Sequence, residues 1–230
     1  MRTPGIGRVE SCDARGLVNA APPRAIRSQR LAQCQGCGLP VVACICADLP
    51  QIAARTRVVV VMHRREAFRT SNTGRLAVRI LSNAASAVRG GKEPRPLPVN
   101  LPARRLVLFP QEGARALAPS DSSEDTVLIV PDGTWSQAQR VLRREPCARD
   151  AEVVRLPPCP PTRYSLRRNT REGALCTFEA IAAALQLLEG GDIERRMLAS
   201  FETFLDRAHA VRGRRSVLPS LTASFAVRRE

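Results

Sequence analysis

The run Arg57-Val58-Val59-Val60-Val61-Met62 constrains this chain more than any other segment. A continuous β-branched stretch with no polar alternation has to be covered on both faces, as at the centre of a parallel sheet. Shorter apolar runs repeat the signal at Arg105–Phe109, closed by Pro110, at Thr126–Val130, closed by Pro131, and at Ala151–Leu156. Helical patterns separate them. Thr73–Val88 carries an apolar stripe of Leu76, Ile80, Leu81 and Val88 and stops at Gly90-Gly91. Trp135–Arg144 ends before Pro146, and Leu175–Glu189 is stopped by Gly190-Gly191. Asp192 can cap a last helix from Ile193 to about Ala210, with Met197, Phe201, Phe204, Leu205 and Ala208 on one face. Short apolar strands alternating with helices predict an α/β domain with a mostly parallel sheet flanked by helices.

The rest of the chain is organised around that domain. Residues 1–30 have no hydrophobic period and read as a disordered basic arm; 213–230 read as a basic tail. Lys92–Pro102 is a proline-rich loop, and Pro157–Gly173 is a long loop of the kind that carries function. The formal net charge of +15 favours a polyanionic partner, RNA or DNA first. Lys92 is the only lysine, however, so the arginine excess fits genomic nucleotide bias as well as it fits phosphate binding. Aromatic residues at 3% argue against tandem base-stacking platforms. No apolar run is long enough to span a membrane. No secretory leader is evident, which predicts a cytoplasmic protein with reduced thiols or metal ligands, and no obligate protein partner is evident.

The cysteines give the most specific local signal. Cys34, Cys37, Cys44 and Cys46 are spaced C-x2-C-x6-C-x-C. Four thiolates so close together can close a tetrahedral Zn²⁺ site, with Gly36 and Gly38 allowing the turn around the metal. Four sulfur ligands leave no open position, so the zinc is expected to be structural and to hold residues 31–56 as a knuckle. Cys12, Cys147, Cys159 and Cys176 lack such spacing and read as ordinary thiols.

Polar turns follow the strands, and in a parallel sheet ligands bind beyond the carboxyl ends of strands. Thr126–Val130 runs into Pro131-Asp132-Gly133-Thr134-Trp135. Asp132 is placed for proton transfer; the alternative is a helix cap followed by a core tryptophan. Arg69-Thr70-Ser71-Asn72-Thr73-Gly74 offers donors suited to an anion, or merely a capping segment. Leu108-Phe109-Pro110 ends another strand. Thr177 and Glu179 open an otherwise apolar helix, where the carboxylate either meets a partner or caps the helix.

Taken together these segments resemble the DTW-domain family. The cysteine cluster, Thr70-Ser71-Asn72-Thr73-Gly74, Phe109-Pro110, Asp132-x-Thr134-Trp135, Tyr164-x-Leu166-Arg167 and Cys176-Thr177-x-Glu179-Ala180 stand in that family's order, over about Cys34 to Phe204. The members most resembled are bacterial tRNA-uridine aminocarboxypropyltransferases, related to the knotted SPOUT methyltransferases. The resemblance implies a trefoil-knot catalytic domain over 57–212. It implies transfer of the 3-amino-3-carboxypropyl group of S-adenosylmethionine to N3 of a tRNA uridine, releasing 5′-methylthioadenosine. Asp132 would be the base or the group that orients the nucleophile, with Thr134 and Trp135 beside it and the indole packed beneath the turn. Leu108, Phe109, Pro110, Leu156, Tyr164, Leu166, Arg167, Cys176, Thr177 and Glu179 would hold S-adenosylmethionine, Arg167 as a fork for its carboxylate. Thr70, Ser71, Asn72 and Thr73 would face the RNA or the amino-acid arm of the co-substrate. A methyltransferase using the same co-substrate, and a non-enzymatic zinc-stabilised RNA-binding protein, are the competing readings.

Overall fold

The computed structural model describes residues 32–67, 69–90, 101, 103–166 and 173–213. Among them, β1 (Arg57–His63), β2 (Ala84–Arg89), β3 (Arg104–Leu108), β4 (Arg115–Ala116), β5 (Thr126–Asp132) and β6 (Glu152–Arg155) form one sheet in the order β2-β1-β5-β3-β6-β4. Every pairing in it is parallel. The helices are α1 (Arg64–Ala67), α2 (Gly74–Ile80), α3 (Trp135–Arg144), α4 (Pro146–Arg149), α5 (Thr177–Glu189) and α6 (Ile193–Gly213). None of them is long and apolar enough to cross a membrane. The basic arm, most of the proline-rich loop, Arg167 and the basic tail beyond Gly213, the last residue of α6, lie outside the described residues.

Strand alternation divides the core in two. Val58, Val60, Met62, Leu106, Leu108, Leu128 and Val130 face α2, α5 and α6. Val59, Val61, Val107, Phe109, Val127 and Ile129 face α3 and α4. The valine run of β1 is therefore buried on both sides, as its uniform composition requires. Phe178, Phe201 and Phe204 stack in a row between α5 and α6. Glu189, at the end of α5, accepts from the backbone N–H groups of Arg55 (3.0 Å) and Thr56 (2.7 Å). α5 thus runs from the carboxyl edge of the sheet to its amino edge.

Two expectations are corrected. The helix expected over Thr73–Val88 ends at Ile80, and Ala84–Arg89 is an edge strand. The chain turns at Ser82-Asn83, where Ser82 N–H donates to Ile52 C=O and the Asn83 amide donates to Arg55 C=O. Ala84 to Arg89 then pair with the open edge of β1. Backbone pairing outweighs the helix preference of three alanines here. The strand expected to close at Pro131 runs on to Asp132. β3 pairs with β5 only as far as Ile129, so Pro131 sits where β5 has one neighbour and its missing donor is tolerated.

Candidate active site and metal centre

The four cysteine sulfurs converge, all within 4.8 Å of one another. Cys44–Cys34, Cys34–Cys46 and Cys37–Cys44 stand at 3.3, 3.6 and 3.9 Å. Sulfurs at tetrahedral Zn²⁺ with ~2.3 Å bonds are about 3.8 Å apart, so the donor set fits that ion. A Cβ at Gly36 would lie 2.7 Å from the Cys46 sulfur, so only glycine fits. Hydrogen bonds from Cys37 and Cys34, with the Arg79 guanidinium, hold the Cys46 thiol down at about 4. Zinc would supply a covalent-strength cross-link there, and these thiolates would be its ligands.

The knuckle has no core of its own. Cys34, Cys37, Leu39 and Ile45 join the cluster of α2, α5 and α6. Two arginines of α2 clamp it. Arg75 donates to Cys34 C=O (3.1 Å), Gln35 C=O (2.5 Å) and Ala67 C=O (3.0 Å). Arg79 donates to Cys46 C=O at 3.1 Å.

The same helix begins at the candidate site. Asp132 continues the alternation of β5 onto the α2/α5 side and is buried at 6% exposure. Its Oδ1 accepts from the Thr177 hydroxyl (2.6 Å), and its Oδ2 accepts from the Asn72 amide. Asn72 Oδ1 in turn accepts from the Arg75 N–H at 2.9 Å, which fixes the direction of the amide. Gly74 closes the junction: a Cβ there would lie 3.0 Å from Val60 Cγ1 and 3.1 Å from Asp132 Oδ2. Gly74→Ala should therefore displace α2 from β5 and destabilise the fold by about 1–3 kcal/mol. Chemical denaturation reads this directly, and an unchanged midpoint would show that the junction is loose.

Glu179 makes a second junction. Its carboxylate accepts from Thr162 Oγ1 (2.5 Å), Arg163 N–H (2.6 Å) and Cys176 N–H (2.9 Å). One carboxylate thus caps α5 and pins the loop that follows β6. Tyr164 donates from its hydroxyl to Ser71 C=O at 2.6 Å and stacks on Phe201. Thr73 Oγ1 accepts from Phe178 N–H, and burial pushes the Cys176 thiol far up.

Four sequence motifs therefore interlock: 71–74, the turn at 132–135, 162–166 and 176–179. Leu108, Tyr164 and Leu166 lie on the same side of the sheet as Asp132, and Leu156 packs against that cluster. Phe109 lies on the other side. Trp135 does not pack beneath the turn: it is 40% exposed and leans on Phe109 with ring centroids 4.7 Å apart. It is the first residue of α3, where the side chain projects over the strand ends. Thr134 caps that helix from an exposed position, its N–H donating to Gln137 Oε1 at 2.8 Å, and Pro110 is exposed. Asn72 and Thr73, expected to face the RNA or the amino-acid arm, are buried at 1% and 4%, whereas Thr70 and Ser71 are half-buried.

Two residues join the site beyond those that the sequence singles out for a role. Gly74 matters only because α2 presses on Asp132. His63 ends β1 beside the turn, 3.5 Å from where a Gly133 Cβ would stand. A histidine directly after a buried strand run was the available clue to it.

The parallel sheet with polar junctions at its carboxyl edge defines an α/β domain of the ligand-binding type. Residues 31–209 match the DTW domain family, and the chain belongs to it. The chain is 28% identical over 189 residues to tRNA-uridine aminocarboxypropyltransferase 2 of Drosophila melanogaster, covering 75% of this chain and 70% of that protein. It is 27% identical over 201 residues to the Mus musculus protein of the same name, covering 81% of this chain and 65% of that one. A solved structure, the SAM-dependent rRNA:acp-transferase Tsr3 from Vulcanisaeta distributa, superposes with a TM-score of 0.46 at 20% identity, covering 73% of this chain and 84% of that one.

Proposed function

We propose that this chain is a tRNA-uridine aminocarboxypropyltransferase with S-adenosylmethionine as co-substrate. The observation that carries the reading is the Asp132 junction, built from the family's motif residues at the carboxyl end of a central strand. The activity named for the fly and mouse relatives supports it.

In the proposed reaction, uridine N3 attacks the methylene carbon beside the sulfonium. The N3–C bond forms, the C–S bond breaks with its electron pair passing to sulfur, and the N3 proton is released to water. Sulfonium is a good leaving group, so the protein's contribution is chiefly positioning. Asp132 takes the orienting role: both of its oxygens hold protein donors, Asn72 and Thr177. Leu108, Phe109, Pro110, Leu156, Tyr164, Leu166, Cys176, Thr177 and Glu179 form the proposed cradle for the co-substrate, with Arg167 as its carboxylate fork. Thr70 and Ser71 keep the RNA-facing role, while Asn72 and Thr73 hold the junction. Thr134 and Trp135 border the site, and Zn²⁺ in the knuckle is structural. Membership of the DTW family supports a SPOUT-like trefoil knot, and four convergent cysteine sulfurs suited to Zn²⁺ support a cytoplasmic setting.

Incubation with S-adenosylmethionine and undermodified tRNA tests the reading. Digested tRNA should contain uridine heavier by one aminocarboxypropyl group, with methylthioadenosine released in equal amount. Release of S-adenosylhomocysteine would make the protein a methyltransferase instead. Tight tRNA binding with no mass change would make it a binding protein.

A further inference from the structure

Exposed charge is distributed unequally over the two edges of the sheet. At the carboxyl ends of β1 and β5, Arg64 and Arg65 of α1 and Arg140 of α3 are exposed and form no ion pair among the described residues. Several arginines elsewhere are neutralised: Arg89 by Glu145, Arg104 and Arg115 by Asp121, Arg163 by Glu202. In the segments 64–73 and 132–144, which lie beside the Asp132 turn, the carboxylates are Glu66 and Asp132, and both are buried; the exposed carboxylate of this edge, Glu112, belongs to the loop after β3. The turns at the opposite edge expose Glu124, Asp125, Asp150 and Asp192.

The three guanidiniums also act on one point. His63 stands between α1 and the Asp132-Gly133 turn, and Arg65, Arg140 and Arg64 add to burial in holding its imidazole below the ordinary value, against Glu66. Each presents a planar fork that suits phosphate oxygens. The exposed Trp135 ring lies on the same edge.

We propose that Arg64, Arg65 and Arg140 form a docking rim for the RNA backbone, taking the phosphates that flank the nucleotide presented to the turn at Asp132. The choice of RNA as the polyanion rests on the function proposed above. The rim orients the strand; it reads no base.

The test compares two triple variants of the full chain. One is Arg64→Gln, Arg65→Gln and Arg140→Gln. The other removes the same charge at the amino edge: Arg55→Gln, Arg149→Gln and Arg196→Gln, all exposed. Binding of an unmodified tRNA transcript is titrated across salt concentrations. Loss of three phosphate contacts should reduce the slope of log K against log salt by about 2–3 and weaken binding roughly 10- to 100-fold near 100 mM salt. The amino-edge triple should change both far less, S-adenosylmethionine affinity should stay as in the unaltered protein, and an Arg→Lys triple at the rim should keep the slope. Equal effects from both glutamine triples, or an unchanged slope at the rim, would overturn the proposal. The two readings fail separately. A chain that transfers no aminocarboxypropyl group but loses tRNA at the rim triple refutes the function and keeps the rim. A chain that transfers the group with tRNA affinity unaltered by the rim triple does the reverse.

Discussion

Cys37→Ser should empty the metal site, falling from one zinc per chain to none, and lower the melting temperature by about 10 °C or more. Cys37 is fully buried and belongs to the main core cluster, so its loss is felt beyond the knuckle. Zinc binding contributes an apparent ~10–16 kcal/mol in small zinc-folded peptides. Here the packed leucine, isoleucine and α2 contacts persist without metal, so only part of that appears as stability. A loss of about 4 kcal/mol in a chain of this size corresponds to roughly 8–16 °C. Metal analysis and calorimetry read the two halves of the result. Chelation of the unaltered protein should reproduce it, while Cys147→Ser, in the other core layer, should keep its zinc. Full zinc content with an unshifted transition would remove the metal from the structure.

Substitutions at Asp132 should separate holding from charge. Asp132→Ala leaves the Asn72 amide and the Thr177 hydroxyl without their shared acceptor in a buried place. Two unpaired donors of that kind destabilise by about 2–4 kcal/mol together, and transfer should fall with them. Asp132→Asn is gentler. Its oxygen can still accept from Asn72, and its amide can donate to Thr177 Oγ1 once that hydroxyl turns. Stability should stay within about 1 kcal/mol of the original. Transfer should nevertheless drop ~100-fold or more, because the fixed negative charge at the strand end is lost. S-adenosylmethionine affinity, measured by calorimetry, should change little. An asparagine variant of full activity would leave Asp132 a purely structural acceptor.

The strands at 57–62, 105–109 and 126–130 were legible because a run covered on both faces has a composition of its own. So were the zinc ligands, because their chemistry is packed into a short spacing. The four polar motifs were each visible, but not how they divide the work. Whether Asn72 meets RNA or Asp132 depends on where α2 comes to rest on β5, and Gly74 decides that through its contact with Asp132, fifty-eight positions further along the chain. The edge strand Ala84–Arg89 escaped for a related reason. Alanine has no strand signal, and the segment is extended only because β1 offers an open edge. Trp135 escaped because a lone tryptophan reads as core, whereas the first residue of a helix after a strand projects over the edge of the sheet.

The insertion of β5 between β1 and β3 has a consequence for how the molecule is made. Arg57 pairs with Val127, seventy positions later, so β1 waits for its inner neighbour until just over half of these 230 residues have left the ribosome. Pairings of such long range close slowly, and the unpaired edges are open to other chains in the meantime. Of all the strands here, the valine-rich β1 is the one with most to lose during that interval. Any chaperone demand of this protein should therefore fall before residue 132 emerges, and a ribosome stalled between β3 and β5 would hold the species most prone to aggregate.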